Sequence, residues 1–108
     1  MRIGTTPMFT FNLPLHSNSF KEFEITFKQC NEIFLQKYSE DCLIEDYAVH
    51  LSLTEEETFG FLPNKDLLIE LRALTNEDKV VSSGIYRVSA SECLSNAVLS
   101  KRVGLDEI

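Results

Sequence analysis

The sequence has no tryptophan, four isolated glycines and fewer basic than acidic residues. Without tryptophan, the Cys-Trp-Cys core of true immunoglobulin domains is absent. The separated glycines cannot build a loop that cradles a phosphate group. Lysine and arginine total 10, aspartate and glutamate total 17, and the net charge is −7. This balance argues against a surface that binds nucleic acid or an anionic membrane.

Cysteine is also scarce, because the chain carries only Cys30, Cys42 and Cys93. An odd number at wide spacing does not support a disulfide framework, and close Cys-x-x-Cys pairs for zinc are missing. We therefore predict free, buried thiols. A Cys30–Cys42 bridge between neighbouring strands is the alternative, which a reducing compartment disfavours.

Long hydrophobic runs are missing as well. No stretch approaches the ~18 apolar residues that a membrane-spanning helix needs. Residues Met1 to Pro7 include one arginine and no apolar run, so they do not resemble a signal peptide. The expected location is the cytoplasm of the producing cell, with no membrane partner.

The chain does contain a repeated alternation of apolar and polar residues, which is typical of half-buried strands. The clearest case is Asp66 to Leu74, where every second residue from Leu67 to Ala73 is apolar. The same pattern predicts the following further strands: Pro7 to Leu13, Lys21 to Gln29, Ile33 to Tyr38, Cys42 to Glu45, Tyr47 to Leu53, and Val80 to Ala90.

Two local signals interrupt this pattern. Thr54 and Glu57 have the spacing of a capping box, which predicts one or two helical turns between strands. Gly84, in the middle of a predicted strand, indicates a β-bulge or a close backbone approach. The fold class is therefore mostly β: an antiparallel immunoglobulin-like β-sandwich of about seven strands with one short helical turn, or alternatively a small β-barrel. We expect residues 1–99 to form one domain and residues 100–108 to form a flexible tail.

The sequence shows no catalytic motif. His16 lies in a predicted loop and His50 on the outward face of a strand, and neither has the spacing of a metal ligand. Ser82-Ser83-Gly84 lacks the Gly-x-Ser-x-Gly pattern of a nucleophile elbow. We therefore predict no catalytic, cofactor-binding or metal-binding residue, and no enzyme. An enzymatic alternative would need one of the three cysteines beside a histidine.

Two binding classes are weakly represented. The acidic pairs Glu40-Asp41 and Glu45-Asp46 lack the alternating aspartates and turn glycine of a calcium loop. Tyr38, Tyr47 and Tyr86 are scattered, which argues against an aromatic platform for sugars.

Some apolar residues are predicted to point outward. Leu68 and Leu74 lie on the outward face of the strand at Asp66, and Met8 points outward from the first strand. Such residues are common singly, but a cluster would mark a surface that binds a partner.

The sequence also resembles a family. The segments that carry the likeness are Met1-Arg2-Ile3-Gly4-Thr5-Thr6-Pro7 with Phe9-Thr10-Phe11, Ile25-Thr26-Phe27-Lys28-Gln29, Leu53-Thr54-Glu55-Glu56-Glu57-Thr58, Leu71-Arg72-Ala73-Leu74-Thr75, and Cys93-Leu94-Ser95-Asn96. They are similar to small, uncharacterised proteins encoded in phages and prophages of Firmicutes, over about residues 1–99. This resemblance implies a phage context and no catalytic residue. Small β-sandwich proteins in that context serve as tail, baseplate or capsid accessory parts.

We therefore expect a non-enzymatic protein-interaction module of prophage origin, in the virion (tail, baseplate or capsid) or as an assembly accessory. Its partners would be other phage structural proteins or itself, with no nucleic acid, membrane or cofactor, and the virion is the alternative location. The second hypothesis is a small acidic phage accessory protein that binds a host factor by imitating a nucleic-acid surface. The interspersed Lys21, Lys28, Lys37 and Arg72 argue against it. The sequence leaves the oligomeric state open.

Overall fold

The computed structural model describes residues 1–95, 98 and 99, so the predicted tail at 100–108 lies outside the described residues. Within the described part, the chain forms seven strands and one short α-helix. Their bounds are β1 Met8–Asn12, β2 Phe20–Gln29, β3 Glu32–Tyr38, β4 Leu43–Glu45, β5 Ala48–Ser52, α1 Glu55–Phe59, β6 Lys65–Thr75 and β7 Val80–Ala90. Short 3-10 turns precede β2 and β4, at Ser17–Ser19 and Ser39–Asp41.

All strand pairs are antiparallel and form two sheets, with the orders β1-β5-β4 and β3-β2-β6-β7. The predicted mostly-β sandwich of about seven strands with one short helical turn is confirmed, and the sheets do not close into one barrel. The strand order, which the sequence did not predict, has its own pattern. Here β2 and β3 are neighbours in one sheet, whereas the second and third strands of an immunoglobulin constant domain lie in different sheets.

The inner faces of the sheets enclose one apolar cluster. Residues Leu67, Ile69, Leu71 and Ala73 of β6 are all buried, as their alternation predicts. The ring of Phe27 on β2 links the layers, because its centre lies 5.5 Å from that of Phe9 on β1 and 5.9 Å from that of Phe61. The large aromatic side chains thus join the two sheets directly.

Two backbone features match the sequence signals. Cys30 and Asn31 both have positive φ, at 49° and 65°, and connect β2 to β3 in a two-residue hairpin loop. This is the geometry that matches the twist of the flanking strands. Gly84 has a φ of 86°, opposite a register shift between Glu70 and Arg72 of β6. The bulge predicted at Gly84 is therefore present.

Two polar side chains are fully buried, and each one binds main-chain groups. The amide nitrogen of Gln29 donates to the carbonyls of Leu62 and Lys65, at 3.0 and 3.3 Å, and its oxygen accepts from the N–H of Leu62 at 2.7 Å. The hydroxyl of Thr58 accepts from the N–H of Gly4 at 2.9 Å. Main-chain groups of irregular segments have no strand or helix partner inside the protein. These side chains supply their hydrogen bonds instead.

Helix α1 begins with the predicted capping box. The hydroxyl of Thr54 accepts from the N–H of Glu57 at 3.1 Å, and the Glu57 carboxylate accepts from the N–H of Thr54 at 2.9 Å. The second oxygen of Glu57 forms an ion pair with Lys37 of β3, and both side chains are only about one-fifth exposed. This contact fixes α1 against the edge of the larger sheet.

Replacing Gln29 by leucine should lower the free energy of unfolding by roughly 3 kcal/mol, because the substitution removes three hydrogen bonds and leaves their main-chain partners without an internal replacement. Urea denaturation would measure the change. The matched control is Gln36→Leu, which removes one exposed contact of 3.4 Å and should change stability by less than about 0.5 kcal/mol. Equal effects of the two substitutions would contradict the role assigned to Gln29.

Glu57 should make the free energy of unfolding depend on pH. Burial alone would raise the pKa of Glu57, but the hydrogen bond from Lys37 and the N–H of Thr54 outweigh it and hold the pKa below the ordinary 4.5. Since the folded-state pKa is lowered, the stabilisation is present above about pH 4.5 and is lost as the pH falls through the folded-state pKa.

Glu57→Gln should therefore lower stability at pH 7 and flatten the loss of stability between neutral and acidic pH. Denaturation at a series of pH values would measure both effects. Glu77→Gln, at an exposed turn position, is the control and should follow the parent curve. If the free energy of unfolding falls as steeply with acid in Glu57→Gln as in the parent chain, other groups cause the loss.

Candidate interaction surface

The two histidines lie apart, and each one contacts residues of a neighbouring turn or strand. Nδ1 of His50 lies 2.8 Å from the hydroxyl of Thr10, and Nε2 lies 3.4 Å from Glu45. His50 is half-buried rather than fully on the surface. Nδ1 of His16 accepts from the N–H of Asn18 at 3.1 Å, so this ring caps the turn that precedes β2.

The three cysteines are free, as predicted, but the prediction that all are buried is wrong. Cys30 and Cys93 are exposed, and only Cys42 is half-buried. Cys30 is exposed because it occupies the two-residue hairpin loop, where a side chain points away from both sheets. Burial raises the pKa of the Cys42 thiol above the ordinary 9.0, and the carboxylates of Asp41 and Glu40 raise it further. A thiol in this environment is a poor nucleophile at neutral pH.

Thiol labelling should follow these environments. At pH 7, Cys30 should react with an alkylating reagent faster than Cys42, because Cys42 is less accessible and the pKa of its thiol is raised. Mass spectrometry of peptides after timed labelling would measure both rates. Faster reaction at Cys42 would contradict this account.

Other classes of site find little support. Among residues 1–95, 98 and 99, no group of three or more histidine, cysteine, aspartate or glutamate side chains could hold a metal ion. None of the helices in the described part of the chain is long and apolar enough to cross a membrane. Tyr47 packs against His16 and Tyr86 against Phe11, so the tyrosines stand beside different neighbours.

The surface feature that stands out is the unequal covering of the larger sheet. On the β3 side, the ring of Phe34 stacks on Phe61, 6.5 Å between centres, and α1 is fixed by Lys37. On the β7 side, nine of the eleven residues of β7 are exposed in the described structure. The smaller sheet reaches this side only through β1, where Phe11 touches Tyr86 at 6.2 Å between ring centres.

The main-chain groups of β7 alternate in direction, as in every strand. The carbonyl of Ala90 accepts from the N–H of Asn64, beyond the start of β6, whereas the carbonyl of Ser89 accepts from the nitrogen of Met1 on the opposite side. By this alternation, the N–H and C=O groups of Ile85 and Arg87 also point away from β6. We call this side of β7, from Val80 to Arg87, the open edge.

The side chains along the open edge are largely uncharged. Between Val80 and Ala90 the sequence holds one charged residue, Arg87, and neither lysine nor proline. Val80, Ile85 and Tyr86 are 61%, 68% and 52% exposed. Lysine, proline and short length are the usual devices that prevent strand edges from pairing. The open edge lacks all three and has only the bulge at Gly84.

The other sheet edges in the described structure are better protected. Strand β4 has three residues, and β1 has five, with Pro7 before it and Pro14 after it. Strand β3 carries Glu32 and Lys37, and α1 packs beside it. Strand β7 therefore presents the longest unprotected edge.

The surface differs on the two sides of the open edge. On the inner side, an apolar groove of about 390 Å³ separates β1 from β7 and is lined by Phe9, Phe11, Ile69, Tyr86 and Val88 with two polar residues. On the outer side, a depression of about 360 Å³ is mixed in character, because Leu68 and Ile85 share it with charged side chains of β2 and β6. Leu68, predicted to point outward, is half-buried in this depression, and Met8 is exposed.

Comparison with known protein families, with curated proteins and with solved structures finds no match. The candidate surface is therefore assigned from the geometry of β7 and its neighbours alone.

Sequence reasoning did not identify β7 as the exposed strand. The signal was weak, since apolar residues occupy both of its faces, as Val80 and Val81 show. Only the strand order reveals that β7 lies at the end of the sheet and beyond most of the covering layer.

Amide hydrogen exchange should report which main-chain N–H groups of β7 point away from β6. In dilute solution, the N–H groups of Ile85 and Arg87 should exchange faster than those of Tyr86 and Val88, which face β6. Residue-resolved hydrogen exchange by NMR would measure the four rates. Equal protection of all four in a monomer would contradict the open edge.

Proposed function

We propose that this chain is a non-enzymatic protein-interaction module that binds a partner by adding an extended strand to the open edge of β7. The observation that carries this proposal is the eleven-residue edge strand that is exposed over nine residues and carries one charge. Strand addition supplies main-chain hydrogen bonds for affinity, and neighbouring apolar depressions select side chains. Beside β7, the outward main-chain groups of Ile85 and Arg87 supply the first component, and the apolar groove at Phe9 and Tyr86 supplies the second.

We further propose a prophage origin and a role in the virion, as a tail, baseplate or capsid component, or in its assembly. The sequence segments that resemble proteins of phages and prophages of Firmicutes support this setting, and the sandwich suits it. The partner would then be another phage structural protein, in the cytoplasm of the producing cell during assembly or in the particle.

The absence of a catalytic role in this proposal agrees with the local chemistry. In the described part of the chain, His16 and His50 are engaged by carboxylates, at 3.3 and 3.4 Å, and each lies beside a structural turn or strand. The environment of Cys42 disfavours its thiolate. The weak nucleophilicity of Cys42 supports an interaction module over an enzyme that uses this cysteine.

Site-specific crosslinking would test the proposal in cells that carry the chain's own phage genome. A photoreactive residue in place of Ile85 should capture a phage structural protein after induction. The matched control is the same residue at Leu43, which is 64% exposed on the edge strand β4. The expected product is specific to position 85 and is also found in purified particles or assembly intermediates.

Two outcomes would overturn the proposal. Identical products from positions 85 and 43 would show that β7 has no special role. A salt-sensitive crosslink to a host protein, with no chain in particles or intermediates, would favour the accessory protein that binds a host factor through charge.

A further inference from the structure

We propose that the open edge also pairs with the open edge of a second copy of this chain. The two β7 strands would run antiparallel and join the two four-stranded sheets into one eight-stranded sheet. This inference rests on the proposed function, because it uses the same edge and names one occupant for it.

The chain already adds a short extended segment to this edge. The nitrogen of Met1 donates to the carbonyl of Ser89 at 2.9 Å, the N–H of Ser91 donates to the carbonyl of Met1 at 2.8 Å, and the N–H of Ile3 donates to the carbonyl of Ser91 at 2.9 Å. This short bridge, between Arg2 and Ser91, is parallel, and it shows that the main-chain groups on this side of β7 accept an extended segment. The addition ends at Ser89, and the eight residues from Val80 to Arg87 continue the same row of groups.

The distribution of charge favours a second copy at this edge. The exposed acidic residues Glu40, Asp41, Glu45 and Asp46 lie around β4, which is separated from β1 by β5 and is therefore far from β7. Two copies that each carry a charge of −7 repel one another over most surfaces. The segment from Lys79 to Ser91 contains two basic residues and no acidic residue, so the strand itself adds no repulsion. The acidic neighbour on β6, Glu70, accepts a hydrogen bond from the Ser82 hydroxyl.

Charge also selects the direction of pairing. Antiparallel pairing brings the exposed turn with Glu77 of one copy toward Arg87 of the other copy, whose side chain is 67% exposed although it also pairs with Asp66 of its own chain. Parallel pairing in register would instead place Arg87 against Arg87. Opposite charges that meet across strands stabilise a pair and like charges destabilise it.

Antiparallel pairing of identical strands has two-fold symmetry, so both copies contribute the same open edge to the contact. Such a dimer closes, because the far edge of the eight-stranded sheet is β3, which carries charges and packs beside α1. The assembly should therefore stop at two copies rather than grow into a fibre.

Ile85 lies within the open edge and is 68% exposed. When two open edges pair antiparallel, Ile85 of each copy lies in the new strand pair. Ile85→Lys would place a lysine of each copy there, and a lysine on a strand edge opposes pairing, whereas the free monomer would expose its lysine to water. The substitution should therefore weaken the dimer without unfolding the chain.

Size-exclusion chromatography with light scattering over a concentration series would test the dimer. The parent chain should pass from a mass of 12.3 kDa to twice that value as its concentration rises. Ile85→Lys should raise the dissociation constant at least tenfold. Leu43→Lys changes a similarly exposed residue on another edge strand and should dimerise like the parent, and circular dichroism would confirm that both variants fold.

Hydrogen exchange supplies a second measurement. The N–H groups of Ile85 and Arg87 should become protected as the parent dimerises, and those in Ile85→Lys should stay unprotected at the same concentrations. Protection at β4 instead of β7 would overturn the proposed pairing.

The failure of this inference can be told apart from the failure of the proposed function. A parent chain of 12.3 kDa at every concentration would overturn the dimer, and a persistent crosslink from position 85 to a phage protein would still support the interaction module. A dimer that Ile85→Lys leaves intact would also overturn it, because its interface would lie elsewhere. Dimerisation through β7 without any phage partner would support the inference and contradict the proposed role in the particle.

Discussion

The arrangement of this protein depends on a mismatch between its two sheets. Strands β1, β5 and β4 have five, five and three residues, whereas β2, β6 and β7 have ten, eleven and eleven. The smaller sheet therefore cannot cover the inner face of the larger one. A half-covered sheet must be completed by other segments of the chain or remain open, and both solutions occur here, one on each side.

The β3 side is completed by segments without regular strand pairing. Their main-chain groups need internal partners, because an unpaired polar group inside a protein is costly. Gln29 supplies them for the loop at Leu62, Thr58 supplies one for the segment at Gly4, and Glu57 joins α1 to Lys37. A few buried polar side chains thus allow α1 and the loop after it to replace a missing strand. On the β7 side, the described structure adds only the segment from Met1 to Ile3, beside Ser89 and Ser91, and leaves Val80 to Arg87 open.

This division explains which features could be predicted from sequence. The alternation in β6, the capping box at Thr54 and the bulge at Gly84 are local signals, since each depends on neighbouring residues. Gln29 even follows the inward positions of Phe23, Ile25 and Phe27, so its burial was visible in the pattern. The covering of β7 and the exposure of Cys93 depend instead on strand order and on contacts between distant segments. Strand order and distant contacts depend on which sheet each strand joins. The alternation of apolar and polar residues does not specify that choice.

The same mismatch leaves one long strand edge unprotected in the described structure. Four exposed acidic side chains, Glu40, Asp41, Glu45 and Asp46, lie around β4, and the unprotected strand β7 lies at the other end with a single charge, Arg87. Repulsion between copies, or between this chain and other acidic proteins, disfavours contact through most of the surface and leaves the main-chain groups of β7 accessible. A strand edge of this kind would favour aggregation in a neutral protein. In the proposed function it serves as a selective interaction surface. Charge on the rest of the molecule disfavours contact by other faces, and the direction of β7 limits how a partner strand can pair.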